Sequence, residues 1–247
     1  MDNLHQTQYA KISINICIHS LYYSFLLPQN IIYLHTITQC TTMKQEINPQ
    51  DTSRSRAFEL WIKSPMPMVT LTKTFDITRL YKASRRKGLK INMLLCHCIG
   101  LAARRIDEFY LLPEQDKLFK YDRLSINVIV KNRKGDICSC DVAYSDDPAE
   151  FNTRYTSLTT SAYESCESFY DEESMVIGTS AMIETELDSI VNQYSTLFNN
   201  PMVMWGKYRK GLFKVKLPIS FQFHHSQMDG GHATSFLSRL QEVINSL

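Results

Sequence analysis

From residue 66 onward the chain changes between two rhythms of apolar and polar positions. Met66 to Phe75 sets β-favouring residues against threonines, which predicts a strand. Asp76 then caps a helix running to about Lys87, which Gly88 ends. Asn92 caps a second helix through Leu94, Leu95, Ile99, Leu101 and Ala102 to about Ile106. That helix is apolar on most sides, so it belongs at the centre of the fold. Leu124, Ile126, Val128 and Val130 alternate as a strand, Asn132 to Asp136 reads as a turn, and Ile137 to Tyr144 returns as the paired strand. Pro148 suits the first turn of a helix bearing Phe151, Tyr155 and Leu158. Met175 to Met182 alternates again, Glu184 to about Leu197 reads as helix, and Met202 to Tyr208, a Lys210-Gly211 turn and Leu217 to Phe223 predict a hairpin. Ala233, Phe236, Leu237, Leu240, Val243, Ile244 and Leu247 recur at helical spacing and give the clearest helix. Mixed elements with several hairpins predict an α+β fold. Its expected form is a two-layer sandwich, with a mixed, largely antiparallel sheet carrying helices.

The beginning of the chain follows neither rhythm. Residues 12–43 hold no Asp, Glu, Lys or Arg, and the apolar run from Ile12 to Leu27 is broken by Ser13, Asn15, His19 and Ser20. It is too interrupted for a membrane span, and it lacks the basic flank and small-residue cleavage site of a signal peptide. Met43 opens an ordinary charged sequence. The expectation is a leader over residues 1–42, disordered or a start-site artefact, followed by a single domain over residues 43–247.

Composition narrows the function classes. The 247 residues are 44% hydrophobic and 21% charged, enough for one sizeable core. A net charge of +2 gives no argument for a nucleic-acid partner. Seven cysteines without a CxxC pair speak against a disulfide framework or a zinc ribbon, so no metal is expected, and reduced thiols fit a cytoplasmic protein. Cys96 and Cys98, on a helix, point about 200° apart and cannot share an ion. Cys138 and Cys140, on a strand, share one face and read as core packing.

Candidate chemistry gathers in one segment, from Leu217 to His232. Leu217, Ile219, Phe221 and Phe223 form one face of a strand; by alternation His225 continues that face and His224 points away. Burial at the mouth of the core would keep the His225 imidazole a neutral base. Asp229, Gly230 and Gly231 follow, and the glycines allow a tight turn with positive φ. Three plainer readings compete: histidines bonded to backbone groups, a metal site with His232, or a mere turn. Adjacent strand residues face opposite sides, which argues against one ion held by both histidines.

The HH-x-x-x-DG pattern resembles the signature of the chloramphenicol acetyltransferase family within the CoA-dependent acyltransferases. The resemblance runs from about Asp51 to Leu247. It includes R-x-x-x-F-E-L-W from Arg54 to Trp61, F-D-I-T from Phe75, Asp107-Glu108, Tyr121-Asp122, Tyr144-Ser145-Asp146, Thr179-Ser180-Ala181, Pro201, Lys207-Tyr208, Leu217-Pro218 and S-F-L-S-R-L-Q-E-V. It implies acetyl transfer from acetyl-CoA to a hydroxyl of a small acceptor, without a metal or an acyl-enzyme. It further implies His225 as general base, Ser180 as the oxyanion donor, and Asp229 paired with Arg54 to hold the loop. Lys207 and Tyr208 would line the CoA side, and Trp61 and Ser139 the acceptor side. Members are homotrimers whose active sites lie between subunits.

The pattern also departs from the family. Gly231 replaces an aromatic residue, Ser226-Gln227-Met228 replaces smaller or less polar residues, no Pro-Trp follows Ser180, and Trp61 stands where tyrosine is usual. Pro67 and Ser139 occupy positions that commonly shape the drug pocket. The changes leave the chemistry and unsettle the acceptor. Chloramphenicol is the first expectation; another alcohol, or a ligand-binding relative without turnover, is the alternative.

Overall fold

A computed structural model describes residues 44–195 and 197–247. The proposed leader lies outside them. In chain order the elements are β1 (Lys44–Ile47), α1 (Ser55–Trp61), β2 (Met68–Asp76), α2 (Thr78–Lys87), α3 (Ile91–Ala103), β3 (Leu111–Glu114), β4 (Lys117–Tyr121), β5 (Leu124–Lys131), β6 (Ile137–Ala143), α4 (Pro148–Ser165), β7 (Met175–Met182), β8 (Met202–Gly206), β9 (Arg209–Lys210), β10 (Val215–His224) and α5 (Gly230–Ser246). The architecture is the α+β sandwich that the periodicity predicts.

The main sheet has the order β2-β10-β8-β7-β5-β6, with β9 paired to the start of β10. The β2–β10, β10–β8 and β5–β6 ladders are antiparallel, whereas β7 runs parallel to both neighbours. β10 is central because alternate residues serve two purposes. Leu217, Ile219, Phe221 and Phe223 face the helices, where Phe221 packs on Phe236 of α5 and on Phe109. Ser220 and Gln222 face the other way and bond Thr72 and Thr70 of β2. α3 is buried almost all round, from Met93 to Gly100 and at Ala102 and Ala103, as its apolar composition requires. Cys138 and Cys140 pack against Ala162 of α4, which accounts for their spacing.

Helix ends follow local chemistry. The Asp76 carboxylate accepts the Thr78 N–H at the start of α2, and Gly88 closes it at φ 66°, a left-handed conformation that suits glycine. Asp147 caps α4 just before Pro148. Asn92 does not cap α3: Lys90 stands at that place, and the Asn92 carbonyl oxygen accepts the Trp205 indole N–H instead.

Two departures from the periodic reading matter for the site. Residues 184–195 are not helical, although Leu187, Ile190, Val191 and Tyr194 recur at helical spacing. The segment lies over the helix-free face of the sheet, where the Ile190 N–H donates to the Ser220 hydroxyl and the Asn192 carbonyl accepts from the Gln222 amide. Those polar side chains satisfy the backbone that a helix would otherwise satisfy. Secondly, β1, β4 and β3 form a separate three-stranded antiparallel sheet. It packs through Leu111 and Leu118 on Phe58, which seats α1.

Candidate active site

β10 ends at His224, and the chain turns there, with the Gln227 and Met228 N–H groups donating to the His224 carbonyl. The alternation therefore stops one residue earlier than the spacing predicts. His224, not His225, is the sealed ring: it is 1% exposed, and burial followed by the charge of its neighbour pushes its pKa down to about 4. Its Nδ1 accepts the Ser226 N–H at 3.1 Å.

His225 is half-buried, and its backbone N–H donates to the Pro67 carbonyl at 2.8 Å. Its ring lies flat on the Trp61 indole, with centroids 4.8 Å apart and planes within 5°. Its Nδ1 is buried without a hydrogen-bond partner among the described residues. The α1 helix thus delivers Trp61 to one face of the imidazole.

The same helix starts just after Arg54, whose side chain holds the turn. Its guanidinium donates to Asp229 Oδ2 at 2.9 Å, to the His225 carbonyl at 2.9 Å and to the Ser226 carbonyl at 3.4 Å. Arg54 is 3% exposed, so its charge depends on these partners. Asp229 also caps α5, accepting the Gly231 and His232 N–H groups. Burial opposes ionisation of Asp229, but the His232 N–H, the His232 ring and Arg54 hold its carboxyl below the ordinary value. Gly230 and Gly231 do not adopt positive φ; they form the first turn of α5. At Gly231 a Cβ would stand 3.1 Å from the Asp229 carboxylate, so close approach is what that glycine provides.

His225, Trp61, Arg54 and Asp229 therefore meet. Ser180 and Ser139 lie elsewhere on the sheet, and Lys207 and Tyr208 lie in the connection between β8 and β9. Ser180 of β7 is in register with Met204 of β8, which pairs with Ser220 of β10. Two strand spacings and five residues of rise put Ser180 about 19 Å from His225 within one chain. Ser139 of β6 accepts from the Asn127 amide at 2.6 Å and lines a groove of about 390 Å³ on the helix-free face, with Asp141, Met202, Phe198 and Gln222. Burial raises the pKa of Asp141 despite its bonds to Asn127 and the Asp171 N–H.

Lys207 and Tyr208 border a second cleft, of about 470 Å³. Its walls include Ile91, Tyr155, Trp205 and Leu217, and exposed Lys90 and Lys207 stand on it. Apolar walls thus stand beside two exposed cations. Leu217 is eight residues from His225 along the chain, about 26 Å if extended.

In the sequence, Glu108 enters only as part of the family resemblance and His232 only in the competing metal reading; neither is expected to position the base. The histidine Nε2 lies 3.0 Å from the Glu108 carboxylate, and its Nδ1 accepts the Asp229 N–H at 3.3 Å. The available signal was the D-x-x-H spacing at the start of a helix, a histidine version of the capping box.

Comparison with known proteins gives the arrangement a context. A family model described as chloramphenicol acetyltransferase matches residues 44–241. Chloramphenicol acetyltransferase 3 of Escherichia coli is 27% identical over 184 residues, covering 72% of this chain and 85% of the relative. A chloramphenicol acetyltransferase of Clostridium perfringens is 24% identical over 226 residues, covering 82% and 99%. Among solved structures, a chloramphenicol acetyltransferase superposes with a TM-score of 0.72 at 18% identity, over 82% of this chain and all of the other. The cubic core of the pyruvate dehydrogenase multienzyme complex has the same fold at a TM-score of 0.55 and 18% identity, over 77% and 86%.

Proposed function

The chain belongs to the chloramphenicol acetyltransferase family, and from that premise we propose that it transfers an acetyl group from acetyl-CoA to a hydroxyl of a small acceptor, with His225 as general base. With the proton on Nδ1, Nε2 of His225 takes the hydroxyl proton while the oxygen attacks the thioester carbonyl. A C–O bond forms and the carbonyl electrons move to an oxyanion, which the Ser180 hydroxyl steadies. The oxyanion then re-forms the carbonyl as the C–S bond breaks, and the leaving thiolate takes the proton from the imidazolium, which returns His225 to its neutral state. Removing one oxyanion donor typically raises such a barrier by about 3 kcal/mol. Asp229 and Arg54 take no proton; they fix the turn that carries the base.

The observation that carries this reading is the fixed imidazole, stacked on Trp61 and with its carbonyl held by Arg54. The separation of Ser180, Lys207 and Tyr208 from His225 supports a site completed by a second copy, in a homotrimer where one subunit gives the base and its neighbour the rest. Exposed Tyr170, Val191 and Phe198 on or beside the groove are compatible with such self-association.

For the acceptor we propose chloramphenicol first, and another alcohol second. The groove at Ser139 combines polar Asn127, Asp141 and Gln222 with apolar Met202 and Phe198, which suits a hydroxylated aromatic. Trp61 would meet the acceptor beside the base. The cleft at Lys207 and Tyr208 suits acetyl-CoA. No metal enters this chemistry. The proposed setting is the cytoplasm, where acetyl-CoA and reduced thiols coexist; no helix among the described residues is long and apolar enough to cross a membrane. A thiol-release assay with acetyl-CoA, chloramphenicol and a panel of other alcohols tests the reading. Turnover that His225→Ala abolishes supports it. Ligand binding at full strength in His225→Ala, with no thiol released by wild type from any alcohol, establishes a binding protein instead.

A further inference from the structure

We infer that Glu108 and His232 are positioning residues for the proposed base, because together they close a ring of polar contacts that orients Asp229 toward Arg54 and Arg54 toward His225. This deepens the acyl-transfer reading and rests on it.

The ring joins three segments distant in sequence. Ser53 donates to Glu108 Oε1 at 3.3 Å, and Glu108 Oε1 lies 3.0 Å from His232 Nε2. His232 Nδ1 lies 3.3 Å from the Asp229 backbone nitrogen and 3.0 Å from its Oδ1. Asp229 Oδ2 takes the Arg54 guanidinium, and Arg54 adjoins Ser53 in the chain, which completes the circuit. In a neutral His232 ring Nδ1 accepts the Asp229 N–H; in a charged ring it donates to Oδ1. In both states Nε2 donates to Glu108.

Geometry makes this pair more than a cap. Asp229 Oδ1 is occupied by the first turn of α5, which leaves Oδ2 for Arg54. The imidazole holds the Asp229 backbone N–H, and Glu108, only 8% exposed, fixes the imidazole. Arg54 then reaches the carbonyls of His225 and Ser226 at the height this anchor sets. Without it, the Asp229 backbone N–H loses its partner, the turn from His225 to Asp229 loosens, and Arg54 meets the His225 carbonyl at a less fixed place.

Glutamine tests the assignment at position 232. Its carbonyl can accept the Asp229 N–H, and its amide N–H can donate to Glu108, so it reproduces both bonds without a ring. In a folded His232→Ala variant kcat should fall about 10- to 100-fold, as a displaced base requires, with KM changed by less than about threefold. His232→Gln should recover most of that loss. Should His232→Ala fail to fold, Glu108→Ala carries the same test, since it keeps the ring and removes only its outer anchor.

A second readout needs no turnover. Ring ¹H–¹³C resonances of His225, assigned by their loss in His225→Ala, should shift or double in His232→Ala and return in His232→Gln. Unmoved His225 resonances and unchanged kcat in folded His232→Ala overturn the inference. Absence of thiol release by wild type overturns the acyl-transfer reading alone, and the resonances still decide whether His232 positions His225.

Discussion

Replacing Arg54 by methionine keeps the packed stem and removes the charge. The Arg54 side chain is 4% exposed, but that of its partner Asp229 is 43% exposed. Breaking a fully buried pair costs about 3–5 kcal/mol, mostly because a charge is stranded. Here the carboxylate left behind regains water, so the expected loss for Arg54→Met falls to about 2–3 kcal/mol, including the unpaired carbonyls of His225 and Ser226. Asp229→Asn keeps a good N-cap but strands the buried guanidinium, at a similar cost. The double variant should lose less than the two singles together, with a coupling of about 1–2 kcal/mol. The sign of its pH dependence follows from Asp229. A carboxyl depressed in the fold adds stability above its unfolded pKa, about 4, and loses it as pH falls through the lower folded value. The coupling should be full at pH 7 and shrink below pH 4. Urea unfolding at one fixed protein concentration measures it, because association would shift the midpoint. Additive single effects at pH 7, or an Arg54→Met loss under about 0.5 kcal/mol, would refute a clamp at this place.

Two further outcomes follow from buried groups. His224, held near 4 in the fold, gains its proton only on unfolding between about pH 6.5 and 4, so acidification across that window removes about 3 kcal/mol of stability. His224→Gln should flatten this part of the pH–stability curve; an unchanged slope would show that another group produces it. At Gly100 in α3 an added Cβ would lie 2.3 Å from the Tyr144 ring, which His97 and Phe151 flank. Gly100→Ala should therefore lower stability by about 1–2 kcal/mol, against the usual helical gain from alanine, and a higher melting temperature would contradict that packing.

The elements that were legible in sequence share one property: their apolar spacing is used by the fold as written. β7 runs from Met175 to Met182 as its alternation predicts, and α5 buries Ala233, Phe236, Leu237, Leu240 and Ile244. Residues 184–197 carry an equally regular stripe, but Val191 and Leu197 stay exposed and the backbone bonds the polar face of the sheet. Tertiary hydrogen bonding overrode periodicity there. The strands β1, β3 and β4 are four or five residues long, too short for alternation to register. At the site, the Arg54–Asp229 contact was legible only through family resemblance, because 175 residues separate the partners. His224 and His225 exchanged their expected burial because a strand end is set by hydrogen bonds, which the order of side chains does not reveal.

The central proposal is that His225 and Ser180 work together although one chain holds them far apart. Two inactive variants, His225→Ala and Ser180→Ala, refolded together in equal amounts, test this directly. In a cyclic trimer each site draws on two neighbouring chains, so about one site in four would join an intact His225 to an intact Ser180. Thiol release by the mixture, with the alcohol that wild type uses best, should reach about a quarter of the wild-type rate if the two residues come from different subunits. Activity no higher than that of either variant alone would contradict a shared site.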